Sequence, residues 1–264
     1  MESKFIHQVS KGSRFNQIYI PKSVEKEFEV GDIVEVRLLK KENKLYYSQN
    51  LKKLSEFKEN LIKQIFTFLS KFREIKQIFI FGSFLTKKLD YNDIDILVIV
   101  NKEDNSLEKI INEEIIEEFN LKFHLIVSEE DRNIESLKIS PILRSMFYYY
   151  VSNKKFLMPK EILINENHLK NLLMMPEDLL KVRFPLGKVY YDSLRKLITL
   201  EYFLKNDEIA PDKIDSELIG LINAEKLKIL KENRNVESYL LKEIRSIIKE
   251  KLALIHKLIK YGKK

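Results

Sequence analysis

The sequence predicts a multidomain α+β chain. A small amino-terminal β-hairpin unit covers residues 1–48, an α/β domain residues 49–164 and an all-helical region residues 165–264. Three observations carry this prediction. Short strand-like runs alternate with turn signals over the first forty residues. Three continuously apolar runs follow, at 77–81, 94–100 and 123–127, of the kind that forms buried strands. Beyond Asn165 the strand signal stops, and apolar residues recur only at spacings of three and four.

The chain of 264 residues is long enough for two or three small cores. With 44% hydrophobic and 33% charged residues it is neither a disordered tail nor a fibre, and no apolar run reaches the ~20 residues that span a bilayer. The amino terminus carries no apolar leader and the chain has no cysteine, which points to the cytoplasm and away from disulfide or thiolate–metal scaffolds. The net charge of +7 comes from the first fifty and last hundred residues, whereas the middle of the chain is balanced. Such an excess suits a polyanionic partner and equally a solvated lysine-rich face.

In the amino-terminal unit, strands are expected at Phe5–Val9, Gln17–Ile20 and Ile33–Leu38, with a short helix from Ser23 to Phe28 after Pro21. The order Lys11-Gly12-Ser13-Arg14, then Ile18-Tyr19-Ile20-Pro21-Lys22, then Val30-Gly31-Asp32-Ile33-Val34-Glu35-Val36 resembles the AbrB/MazE-like (SpoVT-AbrB) swapped-hairpin domain over about positions 5–40. That resemblance implies a homodimer of intertwined strands that binds DNA, with Lys11, Arg14 and Lys22 as the phosphate contacts. Forty residues hold too little core to fold alone, which agrees with dimerisation. A hairpin used only for docking fits the same residues.

The next element is a long helix whose apolar face reads Leu51, Leu54, Phe57, Leu61, Ile62, Ile65, Phe66, Leu69 and Phe72. Strands are expected at Gln77–Phe81, Ile94–Val100 and Phe123–Val127, a helix near Leu143–Val151 and a further strand at Lys155–Met158. In the carboxy-terminal region, helices are expected over Asn167–Leu173, Gly187–Leu204, Lys213–Lys231 and Glu237–Lys260, with Gly262 as a cap.

The sharpest chemical signal is Gly82-Ser83 at the end of one strand and Asp93-Ile94-Asp95 at the start of the next. Alternate strand residues share a face, so Asp93 and Asp95 project together while Ile94 and Ile96 enter the core. Two carboxylates this close repel unless a divalent cation neutralises them. Magnesium suits the pair, because it takes oxygen ligands and completes its shell with waters and phosphates. Gly82 lets the backbone approach a phosphate, and Ser83 supplies a hydroxyl donor.

Over positions 51–160 these motifs resemble the minimal nucleotidyltransferases of the DNA polymerase beta superfamily, which implies an α/β fold with a mixed sheet. The resemblance also implies transfer of a nucleoside monophosphate from a nucleoside triphosphate, with ATP expected, to an acceptor hydroxyl on a protein, an RNA or a small molecule. Asp93 and Asp95 would hold Mg2+ and, with Ser83, form the catalytic set; Gly82 and Ser83 would seat the nucleotide. Lys87 and Lys88, in the intervening loop, could meet phosphate charge or simply be solvated. Family members usually add a third carboxylate from a later strand. Here that strand, Lys122–Val127, has no acid, and His124 is the residue available as a base if it faces Asp95. Glu129, Glu130 and Asp131 could reach the site only if the strand is short.

Some minimal nucleotidyltransferases act as antitoxins toward helical HEPN ribonucleases. The helical tail invites that comparison, but Lys249, Glu250 and Lys251 stand where a HEPN arginine would precede His256. Tyr148, Tyr149, Tyr150, Tyr190 and Tyr191 suit base stacking, or more commonly a core or interface. Two functions follow. One is an antitoxin-like magnesium-dependent nucleotidyltransferase; the other is a DNA-binding regulator or antitoxin whose nucleotidyltransferase fold no longer catalyses.

Overall fold

The computed structural model describes residues 4–37, 44–86, 91–102, 104–181, 186–234 and 236–261. The chain forms two compact units, Met1–Glu42 and Asn43–Lys264.

The first unit is built on a hairpin of β1 (Ser10–Lys11) and β2 (Asn16–Gln17), antiparallel with Ser10 opposite Gln17. The Gly12 N–H donates to the Phe15 carbonyl at 3.0 Å, and a Cβ at position 12 would collide with that same oxygen, so glycine is required for the tight loop. A single 3-10 turn at Glu25–Glu27 stands where the short helix was expected. Asp32 Oδ2 accepts the Glu29 N–H at 2.7 Å and closes the turn around Val30-Gly31. The expected strands at Phe5–Val9 and Ile33–Leu38 do not form among the described residues, and that at Gln17–Ile20 shrinks to β2. A strand exists only through a ladder with a neighbour, and among the described residues of this unit β1 and β2 pair only with each other. Its apolar residues Ile6, Val9, Phe15, Val30, Ile33 and Val36 lie exposed.

The second unit contains a five-stranded mixed sheet and helices α1–α9. Ser55 caps α1 (Glu56–Leu69), its hydroxyl accepting from the Lys58 N–H. The strands are β3 (Tyr46–Tyr47), β4 (Ile75–Phe81), β5 (Ile94–Val100), β6 (Phe123–Glu129) and β7 (Tyr150–Ser152), in the spatial order β3-β7-β4-β5-β6. All neighbours are antiparallel except β5 and β6, which run parallel and are joined by α2 (Asn105–Phe119). Asn120 ends α2 in the left-handed conformation that asparagine tolerates.

Period-two alternation splits the sheet residues between two cores. Ile78, Ile80, Ile94, Ile96 and Val98 pack with Ile62, Ile65 and Phe66 of α1 and Ile111 and Ile115 of α2. On the opposite face Phe79, Phe81, Leu97 and Ile99 pack with Leu137 of α3 (Glu130–Ile139), Phe147 and Tyr150. The rings of Phe81 and Phe147 stack 4.7 Å apart. Coverage on both faces explains why these strands read as unbroken apolar runs.

The expected helix near Leu143–Val151 is the shorter α4 (Pro141–Met146). The strand expected at Lys155–Met158 lies instead at β7, where Tyr150-Val151-Ser152 inserts between β3 and β4. The aromatic run after α4 favours extended backbone, and Tyr150 fills the core from there.

The helical region comprises α5 (Glu166–Lys181), α6 (Gly187–Lys205), α7 (Pro211–Ile222), α8 (Ala224–Lys231) and α9 (Ser238–Tyr261), packed around Tyr190, Leu194, Leu197 and Ile198 of α6. The single helix expected over Lys213–Lys231 breaks at Asn223, which has φ 58° and caps α8 by accepting the Lys226 N–H. Gly262 lies outside the described residues.

Candidate active site

The site sits where β4 ends. Phe81, its last residue, pairs with Asp95 of β5 on one side and Tyr150 of β7 on the other, and Asp95 in turn is level with His124 of β6. One row across four strands therefore reads Tyr150, Phe81, Asp95, His124, all on the same sheet face.

At Gly82 the chain leaves the strand with φ 81°, a region that side chains disfavour, and enters a single 3-10 turn, Ser83–Leu85. Thr86 closes it, with its N–H and hydroxyl both donating to the Ser83 carbonyl at 3.0 and 2.8 Å. The Asp95 carboxylate lies directly against the Gly82 Cα, and any Cβ at position 82 would overlap Asp95 Oδ2. The glycine therefore serves two needs, a left-handed backbone and room for the acid.

Asp95 is 15% exposed. Burial pushes its carboxyl above the usual range, the hydrogen bond with His124 opposes that shift, and the nearby Asp93 charge adds to it. His124 Nδ1 lies 3.0 Å from Asp95 Oδ1, while its ring is more than half exposed. An ionised carboxylate only accepts, so Nδ1–H donates and Nε2 is left as the basic nitrogen. Asp95 and its imidazole partner lie beside the glycine turn, close enough to Asp93 to feel its charge, and the raised Asp95 carboxyl marks a place where a cation would be welcome. Oxygen donors of this kind fit Mg2+ completed by phosphates and waters. Among the described residues no group of three or more His, Asp or Glu is placed to hold a metal ion.

Ser83 is exposed at the head of the turn, on the same bend as Gly82. Lys87 and Lys88 lie outside the described residues. Glu129, Glu130 and Asp131 are not near the acids. Strand β6 runs its full seven residues, and Glu129 pairs with Val100 at the far end of β5, about 16 Å from His124 at ~3.3 Å per residue. Lys11 on β1, Arg14 in the hairpin loop and Lys22 after Pro21 are all exposed in the amino-terminal unit.

The tyrosines divide. Tyr150 and Tyr190 are core residues. The Tyr148 hydroxyl donates to Glu208 Oε1 at 2.5 Å and the Tyr149 hydroxyl to Asp212 Oδ2 at 3.1 Å, ahead of and within α7. Burial first, and then these acids, push both phenols upward. Their hydroxyls thus join the sheet to the helical region. His256 Nε2 lies 3.2 Å from Glu177 of α5.

One neighbour of the site escaped the sequence reading. Phe57, assigned to the apolar face of α1, is 66% exposed, whereas Lys58 is buried. The signal was available: Leu54, Lys58, Leu61 and Ile65 follow the four-three-four spacing of the stripe.

The family model described as polymerase beta, nucleotidyltransferase matches residues 63–139, which span β4, the Gly82-Ser83 turn, both acids and β6. The match and the mixed sheet together support a nucleotidyltransferase-type function. No curated protein matches the chain at a significant level, and no helix of the described residues is long and apolar enough to cross a membrane. Residues 63–139 of this chain are therefore similar to the nucleotidyltransferase domain of the polymerase beta superfamily.

Proposed function

We propose that the chain is a magnesium-dependent nucleotidyltransferase that moves a nucleoside monophosphate from a triphosphate, ATP in the first instance, to an acceptor hydroxyl on a protein, an RNA or a small molecule. The observation that carries this reading is the seating of the Asp95 carboxylate on Gly82, with Asp93 and His124 beside it. Asp93 and Asp95 would hold the cation, which when bound offsets charge on the triphosphate and on the attacking oxygen. Gly82 makes room for Asp95 and bends the backbone into the turn on which a phosphate would sit, and Ser83 offers its hydroxyl. Asp95 orients His124 so that Nε2 can take the acceptor proton, the task that a third carboxylate performs elsewhere. In this proposal residues 49–164 form the catalytic domain and 165–264 a helical domain that selects the acceptor, consistent with an antitoxin-like role. Residues 1–48 would be an AbrB/MazE-like homodimerising domain that binds DNA through Lys11, Arg14 and Lys22; its exposed apolar residues favour a second copy as partner.

The test is incubation with labelled nucleoside triphosphates and magnesium. Label on the protein, an RNA or a co-purified partner should vanish in Asp93→Ala/Asp95→Ala and fall by about 10²–10⁴-fold in His124→Ala. The lack of an acid at the end of β6 level with Asp95, Glu129 being at the far end, favours a second reading, a DNA-binding regulator with an inactive nucleotidyltransferase fold. That reading prevails if no label transfers while DNA binds with steep salt dependence.

A further inference from the structure

Lys58 occupies a core position of α1 at 7% exposure, which is costly for an ammonium group unless its hydrogens and charge are matched. Its Nζ donates to the Thr86 carbonyl at 2.8 Å. It also lies 5.2 Å from the ring centre of Phe84 and 5.5 Å from that of Tyr91, and those two rings meet edge to face at 5.0 Å. Phe84 and Thr86 belong to the turn that follows Gly82; Tyr91 lies two residues before Asp93. A single buried charge thus grips both ends of the segment between the glycine turn and the acid pair. Burial lowers its pKa, as a desolvated amine requires.

We infer that Lys58 is a positioning residue, which pins the Gly82–Thr86 turn to the entrance of the acid-bearing strand and so sets the spacing between the phosphate seat and the carboxylates. A methionine would fill the same space without the desolvation cost, so packing alone does not call for a lysine here. The inference deepens the nucleotidyltransferase reading and, in its functional consequence, rests on it. Errors of about 1 Å in such spacing cost up to ~10²-fold in nucleotide chemistry.

The experiment compares wild type, Lys58→Met and Tyr91→Leu by thermal unfolding, by hydrogen exchange at the Ser83–Thr86 amides, and by titration with MgATP. In Lys58→Met the unfolding temperature should fall by no more than a few degrees, the cost of the lost Thr86 hydrogen bond. The turn amides should exchange faster while those of β4 do not, and the MgATP dissociation constant should rise by about tenfold or more. Tyr91→Leu should show the same pattern more weakly. Unchanged exchange at the turn overturns the inference, and so does exchange that rises throughout the domain together with a larger fall in unfolding temperature, the mark of a merely structural lysine. If wild type binds no MgATP, the nucleotidyltransferase reading fails by itself, and local exchange at the turn still decides whether Lys58 pins it.

Discussion

Asp95 and Gly82 are mutually dependent: the carboxylate rests where a side chain at position 82 would be, and the backbone there holds φ 81°. Gly82→Ala therefore meets both a disfavoured left-handed conformation and an overlap with Asp95. The expected cost is about 1–3 kcal/mol of stability, seen in denaturant unfolding, together with loss of nucleotide transfer. A variant that transfers like wild type would remove the glycine from the site.

Asp95 carries a stability signature with a definite sign. Because burial raises its native pKa, the folded protein holds this proton more tightly than the unfolded chain does. Its contribution is greatest below the usual carboxylate range and is lost as pH rises through the raised native value. Asp95→Asn keeps the shape and removes the charge. With metal chelated, its unfolding temperature at pH 7 should equal or exceed that of wild type, and the decline between acidic and neutral pH should flatten, while Mg2+-dependent transfer is abolished. A lower unfolding temperature at pH 7 would count against the strained-acid account.

The helical core holds the opposite case. Lys251 of α9, 14% exposed, donates to Glu201 Oε2 of α6 at 2.6 Å and to Glu217 Oε1 of α7 at 2.5 Å. Burial alone would raise the Glu201 carboxyl, but hydrogen bonds and charge from Lys205 and Lys251 outweigh it and hold the group below its usual range. The stability this provides is complete above the usual carboxylate range and is lost as pH falls through the depressed native value. Lys251→Met should cost about 2–3 kcal/mol at neutral pH and move the acid unfolding transition to higher pH.

Arg14 occupies the β1–β2 loop, exposed and in the basic hairpin. If that hairpin contacts DNA phosphates, Arg14→Ala should weaken binding evenly across sequences and lower the slope of log affinity against log salt by about one. Fluorescence anisotropy over a salt series reads both quantities, and an unchanged slope would assign the arginine to solvent.

Much of the sheet around Gly82 and Asp95 was legible without coordinates, because the relevant signals are local. The strand at Ile94–Val100 and the turn at Gly82 follow from a continuous apolar run and from glycine's conformational freedom. The end of the strand signal near Asn165 likewise marked the helical region.

What local pattern could not decide was which neighbour each residue meets. His124 faces Asp95 only because β5 and β6 run parallel in one particular register, and that same register carries Glu129 to the far end of the sheet. Periodicity assigned Phe57 to the core of α1, yet the core took Lys58, whose ammonium meets two rings and a carbonyl contributed by a distant segment. Strand β7 likewise needed a gap between β3 and β4 to fill. The amino-acid order by itself determined the three central strands, most of the helical region and the turn at Gly82, which depend on bonds a few residues apart. Pairing, register and the burial of one lysine were decided by the tertiary structure, because they depend on groups far apart along the chain whose desolvation is compensated only once the fold brings them together.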